Sequence, residues 1–232
     1  MKKKLKTRIL FILLWIFLIS SFSLLAIFVL YEANGYRLNK TTLRLEQAGL
    51  ISLDGQPKQS YITINGKVSA SSLPVRFQKI FPGQYTILVS HDGYNSWAKT
   101  VKIEGGQAYE NKKVYLYLSN ITAAETTRNI TLENITNDAQ SQKSSVQILN
   151  NEIWYKEKLV TRFGLSPAEA ILTDDHTHIM FQLGQELRVM DLDGTNNIKL
   201  LDFSSSDSHI FALDSTNVLF SDNGKIMEAR IR

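Results

Sequence analysis

The chain has 232 residues, a formal net charge of +4 at pH 7 and no cysteine. Five of its 26 basic residues precede Ile9, which leaves 21 basic against 22 acidic residues in the remainder. Because that remainder is close to neutral and has no cluster of cations with interleaved aromatic residues, we expect no nucleic-acid partner. A body without disulfides depends on its own core, and roughly 200 residues are enough for one or two domains.

An uncharged apolar segment follows a basic tail at residues 1–8 and extends from Ile9 to Leu30. Its 22 residues, at about 1.5 Å each, are enough to cross a bilayer core of about 30 Å. Because the cations precede this segment, the N-terminus is predicted in the cytoplasm and the body outside. A cleaved signal peptide is the alternative, but its apolar region is only about 7–15 residues long. The sequence therefore predicts a single-pass helix in the cell membrane, with lipid as its partner along Ile9 to Leu30.

The external chain begins with a polar stretch at residues 31–48, which predicts a stalk with at most one edge strand. Between residues 49 and 118, short runs of alternating polar and apolar residues are separated by turn residues, as in half-buried antiparallel strands. Six short strands in this length indicate a β-sandwich. They are predicted near Leu50 to Leu53, Tyr61 to Ile64, Leu73 to Phe77, Gln84 to Ser90, Trp97 to Ile103 and Asn111 to Leu118.

Two turns and one strand pattern support this prediction. Asn65-Gly66 is the pair that favours positive φ at both centres of a type I′ hairpin turn. Pro82-Gly83 predicts a type II turn. In the strand that follows, the alternation directs Tyr85, Ile87 and Val89 toward the core, where Trp97, Val101 and Ile103 of the next strand would meet them.

Six motifs follow one another between residues 62 and 116: Ile62-x-Ile64-Asn65-Gly66, Pro74, Pro82-Gly83-x-Tyr85-x-Ile87-x-Val89, Gly93-Tyr94-x-x-Trp97, Val101-x-Ile103 and Val114-x-Leu116. Together they resemble the PEGA domain, a small β-sandwich of prokaryotic surface proteins. At the position of the namesake tetrapeptide, Phe81-Pro82-Gly83-Gln84, only the proline and the glycine match. The resemblance covers about seventy residues and implies a fold and a surface setting, and no catalytic residue comes with it.

Residues 119–145 are rich in Ser, Thr, Asn and Gln and have no aromatic residue, which predicts an extended linker of little fixed structure. Asn120, Asn129 and Asn134 each begin an N-x-T triplet. These would be glycan sites in a eukaryotic secreted protein. In a prokaryotic protein, which the PEGA resemblance implies, they are better explained by the Asn and Thr content.

Strands return in residues 146–232, and their rhythm is similar to the blades of a TolB-type β-propeller. About ninety residues make at most two blades, whereas closed propellers have four or more. The segment is therefore predicted to be incomplete, with an apolar face at Ile179, Phe181, Leu187 and Val189 and self-association through its strands. The strands are predicted at Val146 to Leu149, Glu152 to Tyr155, Leu159 to Phe163, Ala170 to Leu172, His178 to Leu183, Glu186 to Asp191, Lys199 to Phe203, His209 to Leu213, Asn217 to Phe220 and Lys225 to Arg230.

Carboxylates and imidazoles come together only at residues 174–178, where His176 and His178 would point to one face of a strand, as metal ligands can. The favoured interpretation is an acidic turn, since the sequence places no third ligand. Asp191-Leu192-Asp193-Gly194 begins like a calcium loop, but its glycine is fourth instead of sixth, so a turn is again predicted. We expect no catalytic residue, no cofactor and no metal site.

The residues singled out for ligand binding are Tyr94 and Trp97, which lie near a turn at one end of the sandwich. Such aromatic rings stack on sugars, but aromatic residues at this density in a strand more often belong to the core, which is the favoured interpretation. The predicted architecture is an all-β ectodomain, a PEGA-like sandwich plus propeller-like strands, behind one transmembrane helix. The predicted function is a non-catalytic envelope module that binds cell-wall glycan or an envelope protein. The alternatives are a purely structural or scaffolding protein and, more weakly, an anchored hydrolase.

Overall fold

The computed structural model describes residues 2–128, 145–205, 208–213 and 216–232. The chain divides into two compact units that interleave along the sequence, because several long strands contribute residues to both. Unit 1 consists of Met1–Ser52, Arg76–Tyr85 and Val101–Glu110. Unit 2 consists of Leu53–Val75, Thr86–Thr100 and Asn111–Arg232.

Unit 1 begins with the helix α1 (Lys2–Ala33). Its segment Leu10–Ala33 is, by length and composition, able to cross a membrane, and none of it is buried within the protein. At the end of the helix, the backbone N–H of Asn34 donates a hydrogen bond to the Leu30 carbonyl at 3.0 Å, and its side-chain amide donates to the same carbonyl at 2.7 Å. Gly35 follows with a left-handed φ of 81°, the conformation that commonly ends helices. The predicted apolar helix is confirmed.

The predicted stalk contains a hairpin, β1 (Tyr36–Asn39) and β2 (Arg44–Gln47). The prediction allowed at most one strand here, because the residues are mostly polar and lack a strong alternation. Local side-chain contacts stabilise the hairpin instead. The carboxamide oxygen of Asn39 accepts the backbone N–H of Thr41 at 3.0 Å, and the Asn39 amide donates to Glu46 at 2.9 Å.

All six predicted sandwich strands occur, within three residues of the predicted bounds, and an additional strand completes the Asn65-Gly66 hairpin. One sheet has the order β6-β3-β9 and the other the order β5-β4-β7-β8. The added strand is β5, which pairs with β4 in antiparallel register. The strands are β3 (Gly49–Gln56), β4 (Tyr61–Ile64), β5 (Lys67–Ala70), β6 (Val75–Ile80), β7 (Gly83–Ser90), β8 (Trp97–Ile103) and β9 (Ala108–Tyr115).

One of the two turn predictions is confirmed and the other is wrong. Asn65 and Gly66 both have positive φ, 51° and 77°, as a type I′ turn requires. Gly83 instead begins β7 without positive φ, and the left-handed residue nearby is Lys79 at 64°. A Pro-Gly pair permits a type II turn, but here strand pairing uses the glycine as an extended residue.

The predicted core positions of β7 and β8 are also confirmed. Ile87 and Val89 are fully buried, and Trp97, Val101 and Ile103 are at most 7% exposed. Tyr85 is only half-buried.

The remaining strands form three antiparallel sheets, all in unit 2. Their orders are β11-β12-β13, β14-β15-β16-β17 and β10-β20-β19-β18. All ten predicted C-terminal strands occur, within two residues of the predicted bounds. The strands are β10 (Ala123–Glu125), β11 (Val146–Leu149), β12 (Glu152–Tyr155), β13 (Lys158–Arg162), β14 (Glu169–Leu172), β15 (His178–Leu183), β16 (Glu186–Asp191), β17 (Ile198–Asp202), β18 (His209–Leu213), β19 (Asn217–Asp222) and β20 (Lys225–Arg230).

The sheet β14–β17 lies between the other two sheets and is covered on both faces. Along β15, Ile179 and Phe181 join the core cluster shared with Val146 and Ile153 of the β11–β13 sheet. Met180, which points the other way, joins the cluster shared with Phe220 of the last sheet. Because both faces are covered, this strand has consecutive apolar residues, Ile179, Met180 and Phe181, and no polar–apolar alternation.

The prediction of an exposed apolar face is therefore wrong for this chain. Ile179, Phe181 and Leu187 are fully buried, and Val189 is 1% exposed. The prediction allowed for two blades, whereas three sheets supply a neighbour to each face. Within the described ranges each of these sheets is open, and they form no closed barrel or propeller. The likeness to TolB-type blades remains a prediction.

One strand lies inside the stretch predicted as a linker. The backbone of β10 pairs with β20, with Ala123 opposite Ala229 and Glu125 opposite Met227. This short strand had no sequence signal, because all three of its side chains are exposed. Asn120 is exposed just before it, and Asn129 and Asn134 lie outside the described residues.

Candidate functional site

A buried histidine between two carboxylates lies at one end of the middle sheet of unit 2. His178 is the first residue of β15 and pairs directly with Asp191, the last residue of β16. Its Nε2 lies 3.3 Å from Asp191 Oδ1, and its Nδ1 lies 3.5 Å from Asp175 Oδ1 in the β14–β15 turn. His178 is only 3% exposed. Both nitrogens of the ring are therefore occupied inside the protein.

Neutral donors also contact each carboxylate. Asp191 Oδ2 accepts the indole N–H of Trp97 at 3.1 Å and the side-chain amide of Asn196 at 3.0 Å. Asp175 Oδ1 accepts the Thr173 hydroxyl at 2.7 Å and the Thr177 backbone N–H at 3.0 Å. Such saturation is what allows charged groups to remain buried.

Arg232 joins this cluster from the chain that follows β20. Its Nη1 lies 3.0 Å from Asp175 Oδ2. Its guanidinium lies over the rings of Tyr115 and Tyr117, 4.3 and 4.7 Å from their centroids, and it also donates to the Tyr117 hydroxyl. Guanidinium over aromatic faces is a favourable cation–π arrangement.

The pKa shifts follow from burial and from these contacts. Burial alone would raise the pKa of Asp175, but hydrogen bonds from His178, Thr177 and Thr173 and the charge of Arg232 outweigh it and hold that pKa well below its ordinary value. For Asp191, too, burial is outweighed, chiefly by the hydrogen bond from His178, and the pKa is lowered.

The opposite shift occurs at the histidine. Burial disfavours the imidazolium, yet hydrogen bonds to Asp175 and Asp191 raise the pKa of His178 above its ordinary value. The raised pKa favours the imidazolium, which faces both carboxylates. Arg232 adds a second cation at Asp175, and Lys99 adds a third, with its Nζ 3.7 Å from Asp191 Oδ2. We refer to four of these residues, Asp175, His178, Asp191 and Arg232, as the charge cluster.

A pocket of about 450 Å³ opens beside the charge cluster. Its volume lies in the range of small-ligand sites, about 300–1,000 Å³. It combines aromatic rings, charged groups and an apolar floor. Its lining includes Tyr94, Tyr115, Asp175, Arg230, Ile231 and Arg232.

The two residues predicted to bind a ligand have different places in the structure. Tyr94 lines the pocket and is half-buried. Trp97 is 3% exposed, and its indole nitrogen donates to Asp191. The faces of its ring therefore cannot stack on a sugar, and the core alternative describes it better.

The histidines weighed as metal ligands do not share a strand face. His176 lies in the turn before β15 with a left-handed φ of 54°, whereas His178 points into the charge cluster. In the ranges that the structure describes, no three His, Asp or Glu side chains form a group suited to a metal ion. The segment that begins at Asp191 is a turn, in which Asp193 accepts the Thr195 backbone N–H at 3.2 Å.

Tyr115, Tyr117 and Arg232 were not found by sequence reasoning. Arg232 is 57 residues from Asp175 and 115 from Tyr117, and no local pattern relates positions so distant. Alternation along β9 marks buried positions, but it does not reveal which partner an aromatic ring will meet.

Residues 48–120 match the PEGA domain. This agrees with the resemblance identified over residues 49–118 and covers about a third of the chain. PEGA domains are extracellular or periplasmic modules. No curated protein sequence matches the chain.

Proposed function

We propose that this chain is a single-pass membrane protein whose extracytoplasmic body binds a cell-envelope glycan in the pocket of unit 2, without catalysis. The PEGA match supports the extracytoplasmic setting. The exposed apolar helix supports the anchor. The five cations that precede it support a cytoplasmic N-terminus. The observation that carries the ligand class is the presence of tyrosine rings and hydrogen-bonding groups in one pocket.

A glycan fits the chemistry of this pocket. Sugar rings have an apolar face that packs on aromatic rings and hydroxyls that both donate and accept hydrogen bonds. Tyr94 and Tyr115 supply rings, while Asp175 and Arg232 supply an acceptor and donors. Since the carboxylate and the guanidinium also balance each other at 3.0 Å, the pocket favours an uncharged polar ligand.

The non-catalytic part of the proposal is supported by the environment of His178. A general base must reach the proton that it abstracts. His178 is buried and both of its ring nitrogens face carboxylates. We therefore assign the charge cluster to holding the pocket wall, in preference to the hydrolase alternative.

The first prediction concerns topology. In intact cells without an outer membrane, an added protease should digest the chain beyond Tyr31 and leave the helix, because the basic tail holds the N-terminus inside. Immunoblotting with tags at each end measures this. Protection of the body in intact cells, with digestion after lysis, would reverse the orientation.

The second prediction concerns the pocket. Tyr94→Ala should weaken binding to purified cell-wall polysaccharide about tenfold, since a lost stacking contact is worth on the order of 1 kcal/mol. Tyr61→Ala is the matched control, because Tyr61 is a 53% exposed tyrosine of β4 and does not line the pocket. Affinity is measured by titration calorimetry on the full chain in lipid nanodiscs.

Three outcomes of this titration separate the candidate functions. Equal losses in both variants, or none in Tyr94→Ala, would remove the pocket from the proposal. A parent chain that binds no polysaccharide but captures an envelope protein, in a Tyr94-dependent way, would favour the protein-ligand alternative. Binding of neither class would favour the scaffolding alternative.

A further inference from the structure

The last turns of α1 and the β1–β2 hairpin enclose an apolar groove of about 740 Å³ in unit 1. Leu24, Ile27 and Phe28 line it from the helix, and Leu38 and Leu45 line it from the hairpin. These two leucines pair directly across the hairpin, so they share one face of it. The groove therefore has leucine side chains on both walls.

The hairpin exposes three leucine side chains. Leu38 is 58% exposed, Leu45 is 51% exposed and Leu43, at the tip, is 78% exposed. Leu43 also has a left-handed φ of 53°, a conformation that is unfavourable for a bulky side chain. In water, three exposed leucines within eight residues are costly. In contact with lipid the same surface is favourable.

The position of the groove along α1 places it at membrane depth if the helix spans. The wall from Leu24 to Tyr31 lies wholly within the apolar segment Leu10–Ala33. At about 1.5 Å per residue this wall is about 10 Å long. It therefore covers the headgroup layer of one leaflet, about 5–8 Å, and the outermost few ångströms of the hydrocarbon. Tyr31 and Tyr36 contact edge to face with their centroids 5.3 Å apart, and tyrosines are enriched at that level.

Two cations, Arg37 and Lys40, are among the residues that line the groove. Arg37 Nη2 lies 3.4 Å from Glu32 Oε1, whereas Lys40 makes no ion pair with any residue that the structure describes. A cation beside an apolar groove suits a phospholipid, which carries a phosphate as well as acyl chains.

We infer that the β1–β2 hairpin docks on the outer leaflet, with a phospholipid acyl chain in the groove. The inference rests on the proposed anchor, since it requires α1 to span the membrane. The hairpin has two open edges of unpaired backbone groups, and these exclude it from the hydrocarbon centre. It therefore lies in the interfacial layer, with its leucine face toward the lipid.

The test uses the absence of cysteine from the chain. Single cysteines are introduced in the full chain by Leu38→Cys, Leu43→Cys and Arg44→Cys, and by Phe17→Cys as a reference within the span. Each is spin-labelled in nanodiscs of phosphatidylcholine and phosphatidylglycerol. Power-saturation electron paramagnetic resonance then compares collisions with oxygen, which concentrates in lipid, and with a polar nickel chelate.

We expect labels at 17, 38 and 43 to collide preferentially with oxygen, and the label at 44, on the opposite face of the hairpin, with nickel. Oxygen preference at 17 combined with nickel preference at 38 and 43 would overturn the docking and leave the anchor intact. Nickel preference at 17 would mean that the anchor itself is wrong. Labels at 38 and 43 protected from both reagents would show a protein cover, from a second copy or another protein, and would also overturn the inference.

Discussion

His178→Ala should lower the free energy of unfolding of unit 2 by about 3–5 kcal/mol at pH 6, because it leaves the buried Asp191 and the half-buried Asp175 without the cation that they share. His178 lies between Asp175 and Asp191 at 3.5 and 3.3 Å, and truncation cannot restore either contact. Urea unfolding of the full chain in nanodiscs, followed by the fluorescence of Trp97 and Trp154, measures the loss.

The difference between the parent chain and this variant should also depend on pH. The folded protein raises the pKa of His178 above its ordinary value of 6.5. Its contribution is therefore complete below about pH 6.5 and decreases as the pH rises through the folded pKa. The pKa values of Asp175 and Asp191 are lowered, so the stabilisation from these two carboxylates is present near neutral pH and is lost only as the pH falls into the acid range.

His209→Ala is the matched control, since the side chain of His209 is 63% exposed. Its Nδ1 lies 3.9 Å from Glu169 Oε2, close to the limit for an ion pair, so the loss should be at most about 1 kcal/mol. A pH-independent loss in His178→Ala would contradict the charged state assigned to His178. A loss no larger than in the control would contradict the role of the charge cluster in stability.

Trp97→Ala should destabilise unit 2 by about 3–5 kcal/mol, the usual cost of emptying an aromatic core site. Trp97 is 3% exposed and donates to Asp191 at 3.1 Å, so truncation removes both packing and a hydrogen bond to a buried carboxylate. Trp97→Phe keeps a ring and removes only the donor. We expect a smaller loss for this variant, about 1–3 kcal/mol. Urea unfolding of the full chain in nanodiscs, followed by the fluorescence of Trp154, measures both.

A double variant tests whether Trp97 and His178 act through the same carboxylate. Since both contact Asp191, their losses should not be additive, with a coupling of about 0.5–3 kcal/mol. A Trp97→Ala protein that unfolds like the parent but no longer binds polysaccharide would restore Trp97 as a binding platform. Strict additivity would separate the two residues energetically.

Sequence periodicity was sufficient to predict most of the strands, because polar–apolar alternation and turn preferences depend only on neighbouring residues. Tyr61–Ile64 and Trp97–Ile103 have the predicted bounds, and the type I′ turn at Asn65 follows from its backbone preference. The sequence did not predict β10, whose side chains are all exposed. Nor did it predict that both faces of β15 are covered, because a continuous apolar run does not identify its two neighbours.

The site was predicted only in its local parts. The acidic turns at Asp175 and Asp191 were recognised as turns, and Tyr94 was singled out as a ring near a turn. The charge cluster itself depends on contacts over long sequence separations, such as Trp97 with Asp191. For Trp97, alternation along the strand predicts burial, but it does not predict that the indole N–H will contact the carboxylate of Asp191.

The pairing of β10 with β20 determines where the C-terminal part can be trimmed. Lys225 Nζ lies 2.7 Å from Glu125 Oε2, and Thr126 donates to the Ile226 carbonyl at 3.0 Å, so this strand is held by side chains as well as by backbone. A protein that started at residue 146 would lack β10 and leave one edge of β20 open. Open edges recruit strands from other molecules. Association of such a trimmed protein would therefore result from the truncation and would not show how the complete chain assembles.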